Sequence, residues 1–183
     1  MPLDHFSLIA PIYARAGYRA MEKMREAAAL PVRGRLLDVG GGTGRVAAAL
    51  CGLVEEVVVT DVSMGMLKKT DRSTLKPACT FSESLPFPGD SFERLIMVDA
   101  LHHVVDQATT AREMLRVLKP GGLLVIEEPD IRTFPVKLIA LAEKLLLMRS
   151  HFLSPVQIES LFPRAETRIL TADSTAWIVV KKS

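Results

Sequence analysis

Cysteine is scarce in this chain. Cys51 and Cys79 are the only two, and neither sits in a CxxC or Cys/His ligand spacing. A disulfide framework and a zinc site are therefore not indicated, and a reducing cytoplasm is the expected compartment. Charge of one sign is missing too. Lys plus Arg number 23 and Asp plus Glu 21, a net charge of +2, far short of the basic excess that a phosphate backbone demands. Nucleic acid is not the expected partner. No long apolar run occurs either, because the greasiest region, Val136 to Met148, is interrupted by Lys137, Glu143 and Lys144 and falls short of the ~20 residues of a membrane span. The N-terminus MPLDHFSLIAPIYARAGYR has an acid at Asp4 and lacks the basic start, unbroken apolar stretch and cleavage site of an export signal. What the chain does have is a core to bury: 49% of its 183 residues are apolar and 24% charged, the balance of one globular domain.

From Gly34 onward, short β-branched or leucine-rich runs alternate with segments of helical period, which is the pattern of an α/β fold with a parallel sheet. Strands are expected at Arg35–Val39, Glu56–Asp61, Ala78–Phe81, Arg94–Asp99 and Leu123–Glu128, with helices near Thr43–Cys51, Met64–Asp71 and Thr109–Leu118. Lys119-Pro120-Gly121-Gly122 suits a tight turn from helix to strand. A helix over Tyr18 to Leu30 precedes the first strand, and Ser154-Pro155 opens a short one. Glu166–Ala172 and Thr175–Lys181 are strand-like and separated only by Asp173-Ser174, so they form a C-terminal antiparallel hairpin. The expected architecture is a doubly wound, mostly parallel, seven-stranded sheet. Residues 1–33 make an N-terminal lid and helix, 34–128 a ligand-binding core, and 129–183 the helices and hairpin on the other side.

The densest chemistry lies in LLDVGGGTGR, where Gly40, Gly41, Gly42 and Gly44 fall between a strand and a helix. Such a turn lets the main chain approach a ligand closely. The nicotinamide fingerprint G-x-G-x-x-G needs glycine where Arg45 stands, and a P-loop needs Gly-Lys-Ser/Thr, which is absent, so both are disfavoured. Two acids remain, Asp38 near the end of the first strand and Asp61 closing the second. Ligands of open parallel sheets lie over the C-terminal strand ends, so both carboxylates share a crevice with the glycines. Asp61 is placed for ribose hydroxyls and Asp38 for an ammonium group, a pairing that suits a positively charged nucleoside.

LLDVGGGTGRVA, VVVTDVSMGML, ESLPFPGDSFERLIMVDALHHVVD and REMLRVLKPGGLLVIEEP, in that order, resemble the class I S-adenosylmethionine-dependent methyltransferases. The likeness is greatest to the branch containing the ubiquinone and menaquinone biosynthesis enzymes, and runs from about Arg35 to Glu128. It implies a Rossmann-like fold, S-adenosylmethionine as cofactor and S-adenosylhomocysteine as product. It places Gly40, Gly41 and Gly42 beneath the methionine part, Asp61 on the ribose, Val62 and Met66 against the adenine, and Asp99 near the sulfonium. The leading HFSLIAPIY, with Tyr13, resembles the segment that folds over the cofactor. One position departs: where the family usually has an acid for the adenine amino group this chain has Phe81, with Glu83, two residues later, or a backbone carbonyl as the substitute.

The expected activity is methyl transfer to a small-molecule acceptor, apolar or quinone-like. The alternative is a non-catalytic cofactor-binding partner or regulatory protein of the same fold. No dedicated catalytic residue is evident; the candidate is His103, which the resemblance makes a base. His102 and His103 do not read as a metal pair, because adjacent residues point apart and no third ligand has suitable spacing. Glu127, Glu128 and Asp130 either touch the acceptor or lie in a solvated loop. The Val136–Met148 helix is either a sheet cover or homodimer contact, or one wall of the acceptor pocket.

Overall fold

β1 (Arg35–Val39) lies in the middle of the sheet because its side chains are buried on both faces, as a parallel strand between helical layers requires. The computed structural model describes residues 17–145 and 150–183, with side chains from residue 21. Around β1 stand β2 (Glu56–Asp61), β3 (Lys76–Cys79), β4 (Phe92–Val98), β5 (Leu118–Pro129), β6 (Glu166–Ala172) and β7 (Thr175–Lys181). The sheet order is β3-β2-β1-β4-β5-β7-β6. β1 to β5 run parallel, β7 is antiparallel to β5, and β6 to β7. The expected sheet and its C-terminal hairpin are both present, with Asp173 at φ 54° in the two-residue loop.

Helices cover both faces. Leu37, Leu95, Met97, Leu124 and Ile126 pack on α4 (Gln107–Val117) and α6 (Pro155–Ser160) through Met114, Val117, Ile158 and Phe162. On the other face, Leu36, Val59, Ile96 and Val125 meet Met24 and Ala28 from α1 (Gly17–Ala27) and its exit, and Ala47 of α2 (Arg45–Ala49). Ser154-Pro155 opens α6 as expected, with a capping box joining Ser154 and Gln157, and at the start of α3 (Met64–Leu67) Ser63 accepts from the Met66 amide. α4 starts two residues before the expected Thr109 because Asp106 caps it, accepting from the Thr109 amide at 2.8 Å.

The Lys119–Gly122 turn is not a separate turn but a bulge inside β5. Pairing with β4 jumps from Phe92↔Leu118 to Arg94↔Leu123, and Gly121, at φ 74°, donates to Lys182 O at 2.8 Å. The chain runs outward from β1 through β2 to β3 and then crosses back to β4 on the other side of β1, so the strand order reverses between β1 and β4. Their C-terminal ends open the crevice that such a switch point creates. No helix among the described residues is long and apolar enough to cross a membrane.

Candidate active site

The glycine loop is held to β2 by two bonds. Gly41 donates to Thr60 O at 2.9 Å, and Gly42 to Asp61 Oδ2 at 2.9 Å. Asp61 Oδ1 accepts from the Ser63 amide at 2.7 Å, so one carboxylate orients both the loop and the entry to α3. Each oxygen keeps lone pairs for a further donor. A Cβ on Gly41 would collide with the Asp38 carboxylate and Val59, and Gly42 has φ 58°; these positions demand glycine.

Asp38 lies beneath this loop, fully buried, and neither carboxylate oxygen has a hydrogen-bond partner. A carboxylate left so is costly. Burial first, and then the charge of Asp61, push its pKa up from 3.8 to about 7, against a downward pull from the Ala47 amide and Arg45. Across the crevice Asp99 has φ 50° and donates its amide to Glu127 O at 2.9 Å. Burial, then Glu128, raise its carboxyl to about 6. Glu127 accepts from Trp177 Nε1 at 2.8 Å, and burial raises its carboxyl to about 7. Arg45 acts on Asp38, Asp99 and Glu127 alike. The result is a row of buried and half-buried acids at the ends of β1, β4 and β5, short of positive charge. An orphaned buried carboxylate and a loop that excludes side chains fit a cationic ligand with an extended polar backbone.

Where the adenine is expected, Val62 is exposed and Met66 half-buried beside Gly42. Phe81 is also exposed, one residue after Thr80, whose amide donates to Asp61 O at 3.0 Å. Glu83 does not join them: its Oε1 accepts from the Asp106 amide and its Oε2 from Ser82 Oγ, both at 3.2 Å. The carboxylate expected to replace the missing acid is thus turned to the start of α4, whose unpaired amides attract it. Tyr13 and the rest of HFSLIAPIY lie outside the described residues, as do 146–149 at the end of the Val136–Met148 helix.

The histidine pair corrects two expectations. His102 and His103, in the 3-10 turn Leu101–His103, do not point apart: their ring centroids are 4.0 Å from each other. A third group also arrives, since nitrogen atoms of both and a Glu143 oxygen lie within 4.8 Å of one another. His102 Nδ1 pairs with Glu128 Oε2 at 2.5 Å, and the ring stacks on Phe152 with centroids 4.4 Å apart. Burial alone would lower the His102 pKa, and the Glu128 carboxylate more than reverses that, leaving it raised. Burial and the neighbouring His102 charge lower that of His103, whose Nδ1 lies 3.3 Å from Ser150 Oγ.

Glu128 neither touches solvent nor stands open to an acceptor. Buried, it also accepts from the Ala100 and Leu101 amides at 2.9 and 2.7 Å. Asp130 is buried likewise and tied to Arg132. Glu128 belongs to β5, which runs on to Pro129, and Asp130 follows it directly but is buried, so neither stands in a solvated loop. Reasoning from sequence also missed Glu143 and Arg45, although Glu143 is the one acid in an otherwise apolar and basic helix.

A methyltransferase domain family model matches residues 37–126, the segment that builds β1 to β5 and the crevice. Residues 37–126 carry a domain of the class I S-adenosylmethionine-dependent methyltransferases. It is 36% identical over 105 residues to the ubiquinone/menaquinone biosynthesis C-methyltransferase UbiE of Coxiella burnetii, covering 51% of this chain and 42% of that protein. To the demethylmenaquinone methyltransferase of Clavibacter sepedonicus it is 39% identical over 118 residues, 61% of this chain and 47% of the relative. The match thus spans less than half of either relative. The YcgJ protein of Bacillus subtilis superposes with a TM-score of 0.79 at 18% identity, over 91% of this chain and 99% of that one, so the two share a fold. The cofactor of the family is S-adenosylmethionine, and the orphaned Asp38, the glycine loop and the acid row suit its charges.

Proposed function

We propose that this methyltransferase chain transfers the methyl of S-adenosylmethionine to an apolar, quinol-like small molecule. The observation that carries the reading is the pairing of the unpartnered, buried Asp38 with the Gly42–Asp61 bond at the switch point. Glycines 40–42 pass under the methionine part, Asp61 takes the ribose hydroxyls, and Val62, Met66 and Phe81 offer apolar contact to the adenine. Asp38 and Asp99 face the cationic end. When bound, the cofactor supplies a methyl group on a positively charged sulfur, already activated for transfer. The protein has to align the acceptor and exclude water. His103, kept neutral by burial and by His102, is placed to take a proton from a ring hydroxyl and pass it toward Glu143. The quinone-like acceptor comes from the UbiE and demethylmenaquinone methyltransferase relatives. Transfer from radiolabelled S-adenosylmethionine to a reduced, short-chain demethylmenaquinone is the test. Cofactor binding without transfer to any member of a panel of quinols, phenols and amines would reject this reading.

The raised acids make binding pH-dependent. Asp38, with a pKa of about 7, is largely protonated at pH 6, and a cation brought beside it must expel that proton. Binding is expected to release about one proton at pH 6 and almost none at pH 8.5, with affinity rising about tenfold between pH 6 and 8. Calorimetry in buffers of different ionisation enthalpy reads the release directly. In the free protein the sign is opposite. A raised folded-state pKa stabilises most below the ordinary carboxylate value of 3.8, and that contribution is lost as pH rises through about 7.

A further inference from the structure

We propose that the outer face of α5 (Phe134–Leu145) is an interfacial helix that seats the molecule on an anionic lipid surface. Phe134, Leu138, Leu141 and Leu145 follow one another at i, i+4, i+7 and i+11, a single stripe along the helix. All four are exposed, at 72%, 51%, 55% and 76%. The side turned to the protein is different: Val136 is buried, and Glu143 is half-buried and reaches His102 and His103. The helix therefore carries its apolar stripe outward, which sets aside the sheet-cover alternative for these four residues.

Charge decides what the stripe meets. Lys137 and Lys144, seven residues apart and both exposed, line one flank of it, and the only acid of α5 is the inward Glu143. An apolar stripe bordered by lysines matches the boundary between acyl chains and anionic headgroups, where lysine stems lie along the apolar layer and their ammonium groups reach phosphates. A second copy of the chain fits less well, because it would bring four lysines to one apolar contact with no acid on either face. α5 also starts five residues after β5 ends, at the crevice edge of the sheet. Seating therefore sets the crevice beside the lipid. Only the further step, entry of an apolar acceptor from that layer, rests on the proposed function.

The test is sedimentation of the full chain with vesicles of phosphatidylcholine alone or mixed with phosphatidylglycerol. The protein is expected to pellet with the anionic vesicles and to be released by salt. Leu138→Gln with Leu141→Gln is expected to weaken partitioning about tenfold while leaving the melting temperature unchanged, since both side chains are already exposed. Lys137→Gln with Lys144→Gln should remove the preference for phosphatidylglycerol. Absence of pelleting with either vesicle, or equal pelleting by the leucine variant, overturns the proposal. So does a dimer in ultracentrifugation that the leucine variant dissociates, which would make the stripe a contact between copies. S-adenosylmethionine titration on the same samples keeps the two readings apart: lost cofactor binding with retained pelleting counts against the proposed function alone.

Discussion

Asp61→Ala is expected to weaken S-adenosylmethionine binding a hundredfold or more. Two ribose hydroxyls donating to one carboxylate are each worth ~1.5–3 kcal/mol, together at least ~3 kcal/mol, and every 1.4 kcal/mol is tenfold in affinity. The same change removes the acceptor for the Gly42 amide at 2.9 Å and the Ser63 amide at 2.7 Å, so the glycine loop also loses its tie to β2. Asp61→Asn keeps an acceptor oxygen without the charge and should fall between variant and parent. Asp71→Ala is the control. Asp71 is exposed and its carboxylate accepts from Ser73 and Thr74 in its own turn, and its loss should leave cofactor affinity unchanged. Equal affinity in Asp61→Ala and the parent, measured by calorimetry, would remove the proposed cofactor pose.

Asp61 was legible in the sequence because its environment is local. It closes an apolar strand and lies nineteen residues from the glycine it holds, and a parallel sheet brings those two strand ends together whatever the loops do. The same holds for the strands themselves, whose buried runs Leu36-Leu37 and Val57-Val58-Val59 have one plausible use. The hairpin was readable from two β-rich runs with only Asp173-Ser174 between them. What the sequence concealed is contact across distance. Nothing local to Glu128 announces that it accepts from Ala100, Leu101 and His102, which lie 26 to 28 residues away. That pairing exists because β4 and β5 are neighbours and end at the same level.

Helix α5 shows a different limit. Its leucine spacing was visible, yet period alone states that a stripe exists and not which way it faces. The orientation follows from Val136 and Glu143, the residues that meet the protein. The bulge at Lys119–Gly122 escaped for a similar reason. Pro-Gly-Gly signals a reversal in any context, and here the flanking chain already pairs with Phe92 before the reversal begins.

Glu128→Ala is expected to cost ~3–5 kcal/mol of stability, the range for removing one partner of a buried ion pair, which is a large part of the ~5–15 kcal/mol a domain has in total. The side chains of His102 and Glu128 are 6% and 4% exposed, so water cannot replace the lost acceptor for His102 Nδ1 or for the Ala100 and Leu101 amides. Glu128→Gln still offers an oxygen to those two amides but turns the oxygen facing His102 Nδ1 into an NH2 group, losing that acceptor and the charge, so its loss should be nearer ~1–3 kcal/mol. The two variants also differ from the parent in their pH dependence. The His102 pKa is raised in the folded protein, so the pair stabilises fully below the ordinary histidine value of 6.5 and that contribution fades as pH rises through the folded value. The deficit of Glu128→Ala should therefore be largest at mildly acidic pH and narrow in alkaline buffer, leaving the part due to the unpaired amides. Urea midpoints across that range measure both components. A Glu128→Ala protein within ~1 kcal/mol of the parent at mildly acidic pH would show that the His102–Glu128 pair does not hold the turn in place, and that the 4.0 Å approach of His102 to His103 has another cause.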